Sequence, residues 1–292
     1  MKARSYPGKL LLFGEYTTLL GSAALAMPLA GFAGHWTPGS FDPRSPLHAF
    51  SRYLRQREWP LPLNAAGFER ALRKGLEFAS NIPVGYGLGS SGALCAAVWD
   101  RFGQPTEDLP LLRQILAQME SFFHGSSSGS DPLVSFLERP ILFRDQTDLQ
   151  LLSFSKPTRA ILPHIYLLDT GRPRQTAPLV ERFLDLHARE GCREQFEARL
   201  LPPAEKAIQA FLAGASAEMM QAVRSLSRAQ RALLPDMIPE ALRPCWEKGL
   251  ASGQYAMKLC GAGGGGFMLV FFHADASIER HRLNGFPLHP VC

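Results

Sequence analysis

The stretch IPVGYGLGSSGALCAAVWD, residues 82–100, sets Gly85, Gly87, Gly89 and Gly92 and the pair Ser90-Ser91 between a short apolar lead-in and a helix-like run. The first backbone N–H groups of a helix have no internal partners and lie at the positive end of its dipole. Glycines ahead of them let an anion approach closely. A plain Gly-rich turn capped by Ser90 is the alternative. Four glycines, two serines and a helix start together favour an anion cradle. It is not a G-x-x-x-x-G-K-[ST] loop, because no lysine lies inside it. Nor does it have the spacing or the early βαβ position of a dinucleotide fingerprint. A triphosphate carries about four negative charges, so a cation and a divalent ion must come from elsewhere in the chain.

Four other places offer the missing chemistry. Lys9 stands at the start of the apolar run in PGKLLLFGEY; as a bare strand-end cation it would simply face solvent. Glu120 falls at the margin of the apolar face formed by Leu112, Ile115, Leu116, Met119, Phe122 and Phe123. There it is either a surface glutamate with a buried stem or an inward carboxylate. A magnesium site takes one or two carboxylates, a Ser/Thr hydroxyl such as Ser91, and phosphate oxygens. Asp131, in HGSSSGSDP, is placed on a tight junction outside a helix. It is either a turn aspartate or a base facing an acceptor hydroxyl. Residues 261–266, GAGGGG, imply positive φ angles or a close backbone approach.

The 292 residues are 46% hydrophobic and 20% charged, with room for a sizeable core in one large domain or two modest ones. The net charge of +5 is spread without a basic run. It implies a solvated surface or attraction for an anionic ligand, and no dedicated nucleic-acid patch. Five scattered cysteines without a C-x-x-C pair argue for a reducing compartment and against a zinc site. The apolar run at residues 10–13 is too short for a signal-peptide core. Residues 16–41 lack charge but are interrupted by Gly21, Ser22, Pro28, Gly31 and Gly34, so buried strands in a hairpin or meander explain them better than a membrane span. A soluble cytoplasmic protein is expected, with no membrane partner.

Residues 9–13 read as a strand, 49–56 and 65–76 as short helices, 90–102 as a helix, and the segment ending at Gly125 as an amphipathic helix. The second half reads as a strand in RAILPHIYLLDTG, helices at 177–190, 203–213, 217–234 and 239–250, and a loop feeding the strand FMLVFF. The mixture implies an α+β fold with a soft boundary near residue 150, giving domains 1–150 and 151–292.

PGKLLLFGEYTTLLGSAALAMPL, IPVGYGLGSSGALCAAV and KLCGAGGGGFMLVF resemble, in order, the three motifs of the GHMP small-molecule kinases. MESFFHGSSSGSDPLVS is similar to the E…HG-x-x-SG-x-D segment of the mevalonate kinase branch. The resemblance implies a two-domain α+β fold, with an N-terminal half like ribosomal protein S5 domain 2 and a ferredoxin-like C-terminal half. It implies ATP and Mg2+ as cofactors, a small-molecule alcohol as substrate, and a monomer or homodimer. By carry-over, Pro83, Gly85, Gly87, Leu88, Gly89, Ser90, Ser91 and Gly92 would hold ATP phosphates, and Ser91 and Glu120 the metal. Asp131 would be the base, with Lys9 beside it. Glu15, Tyr16, Arg174, Thr176, Gly263 and Gly264 would line the substrate side. Three positions depart from the family pattern: Tyr16 stands where the branch's mevalonate kinases often have His, and Gly92 and Cys260 stand where Ala and Thr or Ser are more usual. Tyr16 gives GEY, which also occurs in phosphomevalonate kinases.

Overall fold

The computed structural model describes residues 4–145, 147–276 and 282–292. The chain divides into two compact units. The first takes the chain up to Leu10, Ala26–Pro83 and Leu88–Ile141; the second takes Leu11–Leu25, Val84–Gly87 and Leu142–Cys292.

The first half contains β1 (Ser5–Phe13), β2 (Ala24–Pro38), α1 (Pro46–Arg55), α2 (Ala65–Arg73), β3 (Leu76–Ser80), α3 (Ser90–Phe102), α4 (Leu109–His124) and α5 (Ser130–Leu137). β4 (Ile141–Phe143) and β5 (Leu149–Leu151) follow, and the first sheet has the order β1-β2-β4-β5 with β3 paired to β2. Helix starts follow local chemistry. The side chains of Ser45, Asn64 and Asp108 accept the first free amides of α1, α2 and α4. Phe50, Phe68, Trp99, Ile115, Leu116, Met119 and Leu133 form the core of this unit.

The charge-free run is not a meander. After a short 3₁₀ turn at Thr17–Leu20, it forms the single fifteen-residue strand β2. Gly21, at φ 87°, closes the turn between β1 and β2 as expected, but the glycines inside β2 do not mark turns. Gly34 faces Ser80 across the ladder to β3, and the Phe78 ring lies where its Cβ would be. Trp36 sits directly opposite Phe78, with ring centroids 5.2 Å apart. β3 itself occupies residues assigned from the sequence to a helix end and loop lead-in. Pairing with β2, some 40 residues earlier, supplies what its five residues lack alone.

The rest comprises α6 (Lys156–Ile161), β6 (Ile165–Asp169), α7 (Thr176–His187), α8 (Cys192–Ala213), α9 (Ser216–Leu233), α10 (Arg243–Ser252), β7 (Tyr255–Leu259), β8 (Phe267–Phe272), β9 (Arg282–Leu283) and β10 (Phe286–Pro290). The second sheet has the order β7-β8-β6-β10-β9, with antiparallel pairing throughout. Trp246, Phe183, Met257 and Val270 are buried between its strands and helices. α8 starts eleven residues before the expected helix at 203 and runs through Pro202-Pro203. No helix among the described residues is long and apolar enough to cross a membrane.

Candidate active site

The first unit gathers four of the expected side chains. Three glycines ahead of α3 have positive φ (79° at Gly85, 78° at Gly87, 69° at Gly89), and α3 begins at Ser90. Positive φ costs an L side chain but not glycine, so the loop can present amides without strain. The Lys9 amide donates to Leu88 O at 2.8 Å, which ties β1 to the approach to α3. The Lys9 side chain then meets Asp131, with Nζ 2.7 Å from Oδ1. Lys9 is 7% exposed, so it is not a solvent-facing strand end. Asp131 lies in the first turn of α5, not in the junction before it. α3 and α5 approach closely enough that a Cβ on Gly92 would lie 2.8 Å from Asp131 backbone and Cβ atoms. The departure from Ala at this position therefore has a steric cause.

Glu120, on α4, is 4% exposed and points inward. Its Oε1 accepts from Ser91 Oγ at 2.9 Å and its Oε2 from Ser127 Oγ at 2.5 Å. Ser91 Oγ also lies 2.9 Å from His124 Nε2. Burial, with the nearby Asp131 charge, pushes the Glu120 carboxyl up to about 7; the two hydroxyls and Lys9 pull the other way. No ion pair neutralises Glu120 among the described residues. A buried carboxylate that resists ionisation without a cation suits a divalent ion. Among the described residues no group of three His, Cys, Asp or Glu side chains could hold a metal. The donors present are two carboxylates and several hydroxyls, the set that binds magnesium together with phosphate oxygens and water. Beside Ser90 opens a cavity of about 440 Å³, lined by Asp42, His48, Glu77, Phe78 and Ser80 among others.

The second unit gathers a different group. Arg174 N donates to Gly85 O at 2.9 Å, and its Nη1 donates to Cys260 O at 2.6 Å and Gly263 O at 3.3 Å. The guanidinium fills the space that a Cβ on Gly87 or Gly261 would need. Tyr16, at φ 62°, stacks on Phe183 with centroids 4.5 Å apart and donates its hydroxyl to Ala262 O at 2.7 Å. Burial pushes the Tyr16 phenol well up. Glu15 is 3% exposed and paired with Lys258. Gly263 and Gly264 both have positive φ, and a Cβ on Gly264 would meet the Leu179 side chain. Thr176 is the exposed first residue of α7, and Pro83 is half-buried.

Ser127, His124 and Lys258 had no assigned role in the sequence. Ser127 was legible only as part of a serine-rich turn. Lys258 stood in plain view as the one charge in the strand YAMKL.

Residues 49–139 match the family of GHMP kinases N terminal domain, and this span holds Ser91, Glu120 and Asp131. The matched segment is similar to a GHMP kinase N-terminal domain, and the two-sheet α+β fold is similar to that of a solved mevalonate kinase. The chain is 23% identical to the mevalonate kinase of Dictyostelium discoideum, covering 94% of this chain and 88% of that one. It is 25% identical to the mevalonate kinase of Archaeoglobus fulgidus, covering 93% and 92%. In fold it is similar to the L. major mevalonate kinase solved in complex with R-mevalonate, with a TM-score of 0.66, 16% identity and coverage of 94% and 88%.

Proposed function

We propose that the protein is a small-molecule kinase that transfers the γ-phosphoryl group of ATP to an alcohol with the help of Mg2+. The alcohol is mevalonate and the product 5-phosphomevalonate. The observation that carries this is the pairing of Lys9 with Asp131 beside the Ser91–Glu120–Ser127 cluster, all at the glycine-led start of α3. In chain order, residues 1–150 serve as the N-terminal kinase domain and 151–292 as the C-terminal one. A cytoplasmic location, as a monomer or homodimer, belongs to the same proposal; all five cysteines are free, as a reducing compartment favours.

The residues divide the work as follows. The amides and hydroxyls at residues 88–92 cradle the phosphates, and the cavity beside Ser90 takes the nucleoside. Ser91 and Glu120 hold the magnesium ion, which when bound neutralises charge on the phosphate oxygens. Lys9 sets its ammonium against the moving phosphoryl group. Asp131 accepts the proton of the alcohol hydroxyl as the new O–P bond forms and the bond to the ADP oxygen breaks. In a loose transition state little basicity is needed until late, so Asp131 mainly positions the hydroxyl and then takes its proton.

Support for mevalonate as the alcohol comes from the two mevalonate kinases to which the chain is 23% and 25% identical over most of its length. A coupled ADP-release assay across mevalonate, phosphomevalonate, homoserine and several sugars tests the proposal. Turnover with mevalonate is expected. Preference for phosphomevalonate, homoserine or a sugar would reassign the substrate, and nucleotide binding without turnover on any alcohol would leave a nucleotide-binding protein and no kinase.

A further inference from the structure

Lys258 and Glu15 form a buried ion pair that the proposed phosphoryl transfer does not use. Nζ lies 2.5 Å from Glu15 Oε1, with 0% and 1% of the two side chains exposed. The same ammonium donates to Leu259 O at 2.8 Å and sits 5.6 Å from the centre of the Phe13 ring. The pair is one member of a larger set around the second glycine loop. The carbonyls of Leu259, Cys260, Ala262 and Gly263 each accept from a side chain: Lys258, Arg174, Tyr16 and Arg174 again. Gly264 N and Gly266 N donate to Met237 O and Arg172 O, both at 2.6 Å.

A run of glycines has no side chains to pack and loses the most conformational freedom on ordering. Only its backbone can be held. A carbonyl fixed on one side of a peptide plane turns the following N–H to the other, so anchoring carbonyls sets where the loop amides point. A buried ion pair is a costly anchor, because apolar residues of similar volume are often as stable or more so. Its presence makes sense where geometry matters. We propose that Glu15 and Lys258 are positioning residues: through their ion pair, and with the Tyr16 hydroxyl, they fix the loop at residues 260–266, and Glu15 acts on the reaction through that loop and not by touching the alcohol. The effect on turnover rests on the kinase proposal. The rival role, substrate contact through Glu15 Oε2, which makes no hydrogen bond among the described residues, predicts different behaviour.

The test compares Glu15→Gln, Lys258→Met and the double variant by peptide-level hydrogen exchange and by steady-state kinetics with mevalonate. Each single change should speed exchange at residues 260–266 and lower kcat by about tenfold or more, with KM for the alcohol within about threefold. The double variant, which leaves no unpaired charge, should recover much of the protection and lose no more activity than the worse single. A KM raised about tenfold or more by Glu15→Gln whether or not Lys258 is changed would overturn the proposal in favour of direct contact. So would unchanged exchange in both singles. If Lys258→Met does not fold, Tyr16→Phe removes a single hydroxyl. Faster exchange near Ala262 and Gly263 is expected, and no change overturns the shared anchoring. If the unaltered protein phosphorylates no alcohol, the kinase proposal fails, while the exchange measurements still decide whether the pair holds the loop.

Discussion

Asp131 and Glu120 are both carboxylates in the first unit, yet their surroundings differ. Asp131 has an ammonium 2.7 Å away, whereas Glu120 has hydroxyls and burial. Asp131→Asn keeps the shape and removes the proton acceptor, so turnover should fall about 10²- to 10⁴-fold with nucleotide affinity retained; single-turnover kinetics and nucleotide titration check both halves. For Glu120 the pH dependence has a definite sign. Its folded value is raised from 4.5 to about 7, so between those values the native chain binds a proton that the unfolded chain has released. Stability contributed by this group is present at low pH and is lost as pH rises through the window, by on the order of 3 kcal/mol. Glu120→Gln should flatten that fall in urea titrations run from pH 5 to 8. The same variant should raise the Mg2+ concentration needed for half-maximal turnover. A stability slope identical to the parent's would show that Glu120 ionises as it does in water.

At the scale of elements, α3 was the most legible part of the chain. Its boundaries, residues 90–102, match the structure because a glycine-led start and a glycine-marked end are local signals. β3 was not legible, since five residues acquire strand identity only by pairing with β2. Ser and Gly crowd the N-terminal side of Asp131 and so suggest a turn there, whereas the residue lies in the first turn of α5, which packs on α3. That packing makes Gly92 a test of the element interface. Gly92→Ala places a methyl 2.8 Å from Asp131 and Pro132 backbone atoms, and it should destabilise the protein by about 1–3 kcal/mol. Thermal unfolding measures the loss. A variant as stable as the parent would mean that α5 can yield, and turnover would then report whether Asp131 has moved.

For the whole molecule, ligand linkage gives the broadest check. Mg·ADP that binds only the native state at about 100 times its Kd should add about 2.7 kcal/mol, seen as a higher Tm. No shift at any concentration would argue against a nucleotide site altogether. The compact units are also not continuous in sequence. Residues 11–25 and 84–87 join the second unit although they lie early in the chain. Likewise, the Glu15–Lys258 bond links residues 243 positions apart, a distance over which no local pattern carries information.

The sequence by itself determined the glycine-led helix, the amphipathic helix bearing Glu120, the α+β class and the resemblance to a kinase family, because helix caps, periodicity and motif order are local or linear properties. The same resemblance set Lys9 beside Asp131, whereas tertiary structure alone decided that Ser127 bonds Glu120 while His124 bonds Ser91, and that Glu15 is buried against Lys258. Those facts depend on which distant segments share a dielectric environment and a few ångströms of space.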